Sequence, residues 1–474
     1  MQVLSRKLEV PLSSPQENAS NPLCRLLADT PLPLLGLAFC RAWSQWAVAS
    51  MDALDSGASF LTCRPFYDFA CLAAALVLAS MAPKIGELFR HDRLLLAASL
   101  TMCLIPLLSV FAPVSPGGML GYAGAAVGGV GFFIMSAAWA CLYVRYGSLR
   151  AVMLFCLARV LSEGIIFMYA GFNEAYLAGA LALSPLVSYL CLRHSVNLLD
   201  GAMRQAETDG SRPFPWKPAA FMLVYAFAYA VSCPASGTAF LAYPATACTA
   251  VPPIVFLACS LYLSGRFNFG SFYLIACPTM MAAILLPAAF GASSGQFAKA
   301  CLEISFSTAV LTEFLMVAEL SSRLKIQPLW LFCIVRAFRY AGLLLGWLFV
   351  RTTGGLGEAA CTSVVLIICV VVVSFMLISE HGGNANWGIF PKNVAAPYMG
   401  ETPDSRICEV GSTFGLSKRE VEVLGLLAEG ATPGSIAIKL TLAEGTVKAH
   451  VQHIYQKTDC HSRKELMALV HGGR

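Results

Sequence analysis

Gly118–Val144 reads GMLGYAGAAVGGVGFFIMSAAWACLYV, without one charged side chain. A helix rises 1.5 Å per residue, so roughly twenty apolar residues cross the ~30 Å hydrocarbon of a bilayer. This stretch is long enough to do so. Working outward, the same reading gives spans near Pro33–Met51, Phe66–Met81, Leu94–Ala112, Val152–Tyr169 and Ala175–Leu192. Beyond a polar stretch they continue near Ala219–Val231, Ala242–Leu263, Phe272–Phe290, Ala298–Ala318, Leu329–Val350 and Ala359–Ile378. The expected fold class is all-α: a polytopic bundle of about twelve spans, then a small four-helix domain.

Composition agrees with that division. Of 474 residues, 57% are hydrophobic and 12% charged, against about 25% charged in an ordinary soluble domain. Long tracts carry almost no charge, whereas Phe414–Arg474 reads like a soluble domain. Two solvents imply two domains: a cytosolic segment (residues 1–32), a membrane domain (33–379), a linker (380–412) and a C-terminal domain (413–474). The net charge of +5 is too small to argue for nucleic acid by itself. The 18 cysteines, among them Cys103, Cys141, Cys156, Cys191, Cys277 and Cys369, lack the paired spacing of a zinc site or disulfide framework and read as packing residues. No metal or cofactor is expected. Gly-rich phosphate loops and nucleophile elbows are also missing from the sequence, so an enzyme is not expected.

Lys and Arg favour cytosolic loops. Met1–Thr30 has no signal-peptide pattern. With the N-terminus inside, the inner segments hold Arg6, Lys7 and Arg25; Lys84, Arg90 and Arg93; Arg145 and Arg150; Arg193, Arg204, Arg212 and Lys217; Arg266; and Arg323 and Lys325. Outer loops keep Arg64, Arg351 and Lys299. One missed span would invert the alternation, so both termini are expected in the cytosol of a bacterial inner membrane. The longest inner loop, His194–Lys217, divides the spans into two equal sets. That arrangement resembles the major facilitator superfamily, although the family's loop between spans two and three is degenerate here in Lys84–Arg93.

Ionisable residues inside spans are costly and tend to line a bundle interior. Here they are Arg41, Asp68, Arg159, Glu163, Glu303, Glu313, Arg336 and Arg339. Arg159 and Glu163 stand one turn apart, within pairing distance of each other; a mutual pair and binding of a ligand are both open to them. Arg336 and Arg339 share a face with no acid on their own helix; an anionic ligand, or Glu303 or Glu313 from another span, would neutralise them.

A polar linker near Glu380–Gly411, with an r.m.s. reach on the order of 30 Å if it is flexible coil, leads to short amphipathic helices. The first starts at a capping box of Ser417 and Glu420 and ends at Gly430. The second runs about Pro433–Leu440 with Thr432 as N-cap. The third begins near Glu444 and continues to Lys457, after the tight turn Thr441-Leu442-Ala443, and a fourth follows Ser462. Val447, Val451 and Ile454 recur at helical spacing and face a core; Gly445, Lys448, Ala449, Gln452 and Gln456 share the other face.

These residues resemble the LuxR-type (NarL-like) regulators. Leu416, Glu420, Glu422-Val423-Leu424, Gly430, Ile436-Ala437, Thr446-Val447-Lys448, His450, Ile454-Tyr455, Lys457 and Ser462-Arg463 fall where that family places them. The resemblance implies a helix-turn-helix reading double-stranded DNA, with Lys448, Ala449 and Gln452 at base-reading positions. Thr446, Lys439 and Lys457 become phosphate candidates, and the fourth helix a contact for a homodimer. Two departures stand out: Pro433-Gly434-Ser435 opens the second helix where Asn-Lys-Glu is usual, and Ala443 replaces a capping Ser. Each costs about 1 kcal/mol in expectation. The combined expectation is a membrane-bound one-component transcription regulator controlled by a small molecule bound among the spans; the alternative is a transporter with an attached DNA-binding domain.

Overall fold

The computed structural model describes residues 26, 30–54, 63–111, 119–199, 216–232, 247–262, 276–290, 295–324 and 326–352, then 410, 414–428, 431–440, 442–460, 462 and 465–467. The chain forms two compact units, Met1–Val394 and Ala395–Arg474. Among the described residues there is no strand.

Helices of the first unit follow the apolar runs. They are α1 Leu37–Leu54, α2 Cys63–Ile85, α3 Asp92–Phe111, α4 Met119–Val144, α5 Ser148–Ala170, α6 Glu174–Leu199, α7 Trp216–Ser232, α8 Val251–Tyr262, α9 Ala276–Phe290, α10 Gly295–Leu324 and α11 Pro328–Thr352. Each coincides with one expected span; the twelfth, Ala359–Ile378, lies outside the described residues, as does the 380–412 linker apart from Val410. Segments Arg64–Ile85, Tyr122–Val144, Ser148–Ala170, Ala175–Leu198, Gly295–Ser322 and Pro328–Thr352 are each long and apolar enough to cross a membrane. The outer surface is apolar in the way lipid requires: Phe69, Leu104, Phe167 and Leu183 are all more than half exposed. This unit is a multi-pass membrane bundle.

The bundle closes where α2 packs on α4 and α11, α3 on α6, α1 on α5 and α6, and α5 on α8 and α10. Without a hydrophobic drive between helices in lipid, close approach depends on small residues. Gly342 and Gly346, one turn apart on α11, lie against α7: a Cβ on Gly346 would stand 2.7 Å from the Phe227 carbonyl oxygen, and one on Gly342 closer still to that of Leu223.

The second unit has its own core. Helices α12 Lys418–Ala428, α13 Pro433–Leu440 and α14 Glu444–Thr458 surround Val423, Leu424, Leu427, Ile436, Val447, Ile454 and Leu466. Both expected caps form. Ser417 N–H donates to Glu420 Oε2 at 2.7 Å and Glu420 N–H to Ser417 Oγ at 3.3 Å. At α13 the Thr432 N–H donates to Ser435 Oγ at 3.0 Å and the Ser435 N–H returns to Thr432 Oγ1 at 3.4 Å. Ser435 therefore serves where the glutamate of a capping box would, which offsets part of the penalty expected from Pro433-Gly434-Ser435. The lost cap at Ala443 is real: it makes no side-chain cap bond to α14.

Candidate nucleic-acid interface and membrane cavity

Helix α14 separates into the two faces its sequence spacing implies. Val447 and Ile454 are fully buried, and Val451 packs against them from the edge of the core. Gly445, Thr446, Lys448, Ala449, Gln452 and Gln456 are exposed. Thr446 sits in the first turn, where its N–H bonds the Ala443 carbonyl at 2.9 Å. Lys448 Nζ lies 2.8 Å from Glu444 Oε1, with both side chains more than half exposed. The Lys448 ammonium holds the Glu444 carboxyl below its usual range. So exposed a pair gains little in water and gives way readily to a stronger anion.

Lys457 differs from expectation. Its Nζ bonds Glu420 Oε2 at 2.8 Å and the Gly415 carbonyl at 3.2 Å, tying the end of α14 to the start of α12. The reason lies in Glu420, a residue only 4% exposed, whose carboxylate takes a cation at that place. The hydrogen bond from the Lys457 ammonium, and after it that from the Ser417 N–H, push the Glu420 carboxyl down to about 2. Lys439 lies on α13.

In the first unit the ionisable residues converge. Arg41 on α1, Arg159 on α5, Glu303 on α10 and Arg336 and Arg339 on α11 line one cavity of about 170 Å³; Glu163 and Glu313 stand behind them as partners. Arg339 Nη1 donates to Glu313 Oε2 at 2.9 Å, and Arg336 Nε pairs with Glu313 Oε1. Of the neutralising partners open for Arg336 and Arg339, the structure therefore supplies Glu313, which is fully buried.

Arg159 and Glu163 do not pair with each other. Glu163 Oε1 lies 3.6 Å from Arg41 Nη2 and accepts from Thr249 Oγ1 at 2.5 Å, whereas Arg159 Nη2 donates to Ser307 Oγ at 2.8 Å. Packing decides this: α5 is covered by α1, α8 and α10, and each side chain finds a partner on a facing element before its neighbour one turn along. The expected outer-loop positions of Arg64 and Lys299 also change. Arg64 turns into the cavity and bonds Asp68 Oδ2 at 3.1 Å, and Lys299 is 5% exposed, one turn from Glu303. Sequence reading missed Ser307 and Thr249, since single hydroxyls in apolar spans carry no signal that separates them from packing residues.

Comparison with known proteins follows this division. Residues 415–470 match the model of bacterial regulatory proteins, luxR family. The oxygen regulatory protein NreC of Staphylococcus carnosus (strain TM300) is 48% identical over 52 residues, 11% of this chain and 24% of that protein. The nitrate/nitrite response regulator protein NarL of Escherichia coli (strain K12) is 41% identical over 59 residues, 12% of this chain and 27% of its own. The chain thus spans about a quarter of the length of these curated relatives. Among solved structures, the major facilitator superfamily proton:xylose symporter XylE bound to 6-bromo-6-deoxy-D-glucose is similar with TM-score 0.51 at 12% identity, over 76% of this chain and 96% of that one. The transporter FucP in the outward conformation has TM-score 0.45 at 12% identity, over 73% and 97%. A membrane domain with the major facilitator fold is joined in this chain to a C-terminal luxR-family regulatory domain at residues 415–470.

Proposed function

We propose that the protein is a membrane-bound one-component transcription regulator: α14 reads specific DNA, and a signal bound in the membrane cavity controls that reading. The observation that carries it is the exposed face of α14, on which Lys448, Ala449 and Gln452 stand free of the core. Lys448 reaches guanine O6 and N7, Gln452 bonds adenine N6 and N7, and Ala449 packs on a thymine methyl. Thr446 and Lys439 supply phosphate contacts, which position without specifying. Lys457 is engaged with Glu420 and contributes through the fold of the domain. A homodimer through the C-terminal domain supplies the second half-site that so small a reader needs.

The chain sits in the bacterial inner membrane with both termini cytosolic, which the distribution of Lys and Arg supports. A ligand controls DNA binding only if it binds two states of the bundle unequally. A transporter that also reports to DNA is the second reading, favoured by the polar cavity inside the bundle; uptake into vesicles separates the two.

Genome-wide crosslinking of the full-length protein to DNA tests the main reading, beside a variant carrying Lys448→Ala and Gln452→Ala. Discrete peaks that vanish in the variant are expected. Peaks unchanged in the variant, or none under any growth condition, overturn it.

A further inference from the structure

We infer that the membrane cavity binds a small organic monoanion, a carboxylate on a flat apolar body, and that Arg159 holds its charge. The charge balance points there first. Arg41, Arg64, Arg159, Arg336 and Arg339 all line the cavity. Asp68, Glu163 and Glu313 are committed: Asp68 to Arg64, Glu163 to Arg41 and Thr249, Glu313 to Arg336 and Arg339. Glu303 stands one turn from Lys299. Among the described residues, guanidiniums therefore exceed carboxylates around the cavity: Arg336 and Arg339 share Glu313, and Arg159 has no carboxylate at ion-pair distance.

Arg159 is 3% exposed and its one side-chain hydrogen-bond partner among the described residues is a neutral hydroxyl. Ser307 Oγ, which accepts from Arg159, donates onward to the Thr249 carbonyl at 2.6 Å. Arg159 Nε is buried and without a hydrogen-bond partner. A buried guanidinium with no carboxylate at bonding distance is costly, and its planar fork matches a carboxylate. An anion entering the cavity supplies what the helices do not.

The rest of the wall selects the body of the ligand. Phe155 and Phe314 are stacked, 4.3 Å between centroids at 12°, and the Arg159 guanidinium lies 5.9 Å from the Phe155 ring. Phe132, Phe306 and Phe332 complete an aromatic lining, which favours flat apolar groups. The volume of about 170 Å³ sets the size, since a cavity of roughly 150 Å³ holds one benzene molecule. One ring bearing one carboxylate fits; a sugar phosphate or a nucleotide does not.

This inference rests on the regulator reading only for its consequence at DNA, so binding is measured separately. The full-length protein in phosphatidylcholine nanodiscs is titrated with benzoate, with the neutral isostere benzamide, and with inorganic phosphate; a parallel set contains phosphatidylglycerol as the anionic lipid. Saturable benzoate binding, with benzamide at least about tenfold weaker, is expected from one charge-assisted pair. Arg159→Met should weaken benzoate about 10- to 100-fold and Arg159→Lys should recover part of the loss. Equal binding of benzoate and benzamide, no benzoate binding at millimolar concentration, unchanged affinity in Arg159→Met, or occupation by phosphate or phosphatidylglycerol in its place overturns the inference. Should Arg159→Met not fold, the benzoate and benzamide arms on the unaltered protein decide alone. Operator binding in the same samples keeps the two readings apart: absence of benzoate binding beside intact, Lys448-dependent operator binding removes this inference and leaves the regulator standing.

Discussion

Glu313 in the bundle and Glu420 in the C-terminal unit are both buried carboxylates holding basic partners, yet their surroundings are opposite. Glu420 takes Lys457 from the end of α14 and the Ser417 N–H that opens α12; it closes a local ledger of caps and ends. Among the described residues of that unit, every buried side-chain nitrogen and oxygen has a partner. Elsewhere in the bundle the helices leave Arg41 Nε, Arg159 Nε and Glu163 Oε2 buried without hydrogen-bond partners. Buried polar groups are nearly always satisfied. A domain finished within itself and a bundle whose polar interior is unfinished fit the two tasks proposed above, a fixed surface for DNA and a site that answers to a ligand.

The strongest way to break the comparison is to neutralise each carboxylate in place. Glu313→Gln leaves Arg336 and Arg339 buried without their counter-charge, and breaking such a pair costs about 3–5 kcal/mol. Glu420→Gln exchanges one charge-assisted set for neutral hydrogen bonds and is expected to cost about 1–2 kcal/mol. Thermal unfolding of the full-length protein, followed separately for helices in detergent and for the C-terminal unit, checks both. A bundle no less stable in Glu313→Gln than the C-terminal unit is in Glu420→Gln would erase the distinction.

Removing exposed groups sharpens it from the other side. Lys448→Ala or Gln452→Ala, both exposed on α14, should weaken operator binding by about 1–3 kcal/mol each, roughly 5- to 150-fold. Neither should shift the unfolding of either unit. Fluorescence anisotropy against a recovered operator, read beside the melting curve, separates a lost contact from a lost fold.

The sequence carried the two faces of α14 in full because helical periodicity states them directly: Val447 and Ile454 inward, Lys448 and Gln452 outward. The spans were equally plain, because lipid demands long apolar runs and each of α1–α11 overlaps one of them, although α8 begins nine residues after Ala242 and α6 runs seven residues past Leu192. Pairing was not legible. Arg159 chooses Ser307 across 148 positions, and Glu163 chooses Thr249 across 86; nothing local encodes contacts made only once the helices pack. Positive charge near a span end also has two readings, a loop anchor or a buried group; Arg64 lines the cavity and Lys299 is buried.

Acid distinguishes the units by a smaller amount. Glu420 titrates at about 2 in the folded unit, below the usual 4.5. A carboxyl depressed by folding stabilises most above its unfolded value, and that stabilisation is lost as pH falls from about 4.5 towards 2. A fragment spanning residues 395–474 should therefore lose stability over that window, and Glu420→Gln should flatten the loss. Melting curves at stepped pH check this; a slope unchanged by the substitution would show that other carboxyls govern it.

The smallest expected effect is a gain. Ala443 precedes α14 with φ −70° and ψ 143°, the extended backbone of an N-cap residue, and makes no side-chain cap bond. A serine hydroxyl there can accept from the N–H two or three residues on, as Ser417 and Thr432 already do for α12 and α13. Ala443→Ser should raise the stability of the C-terminal unit by about 1 kcal/mol. Ala443 is exposed and lies outside the Lys448, Ala449 and Gln452 face, so operator affinity should change by less than about twofold. A stability gain with unaltered affinity would mean that the missing cap is a local weakness of α14 alone. A gain accompanied by tighter binding would mean that α14 frays at its first turn before it meets DNA, and that order there is part of what binding must supply.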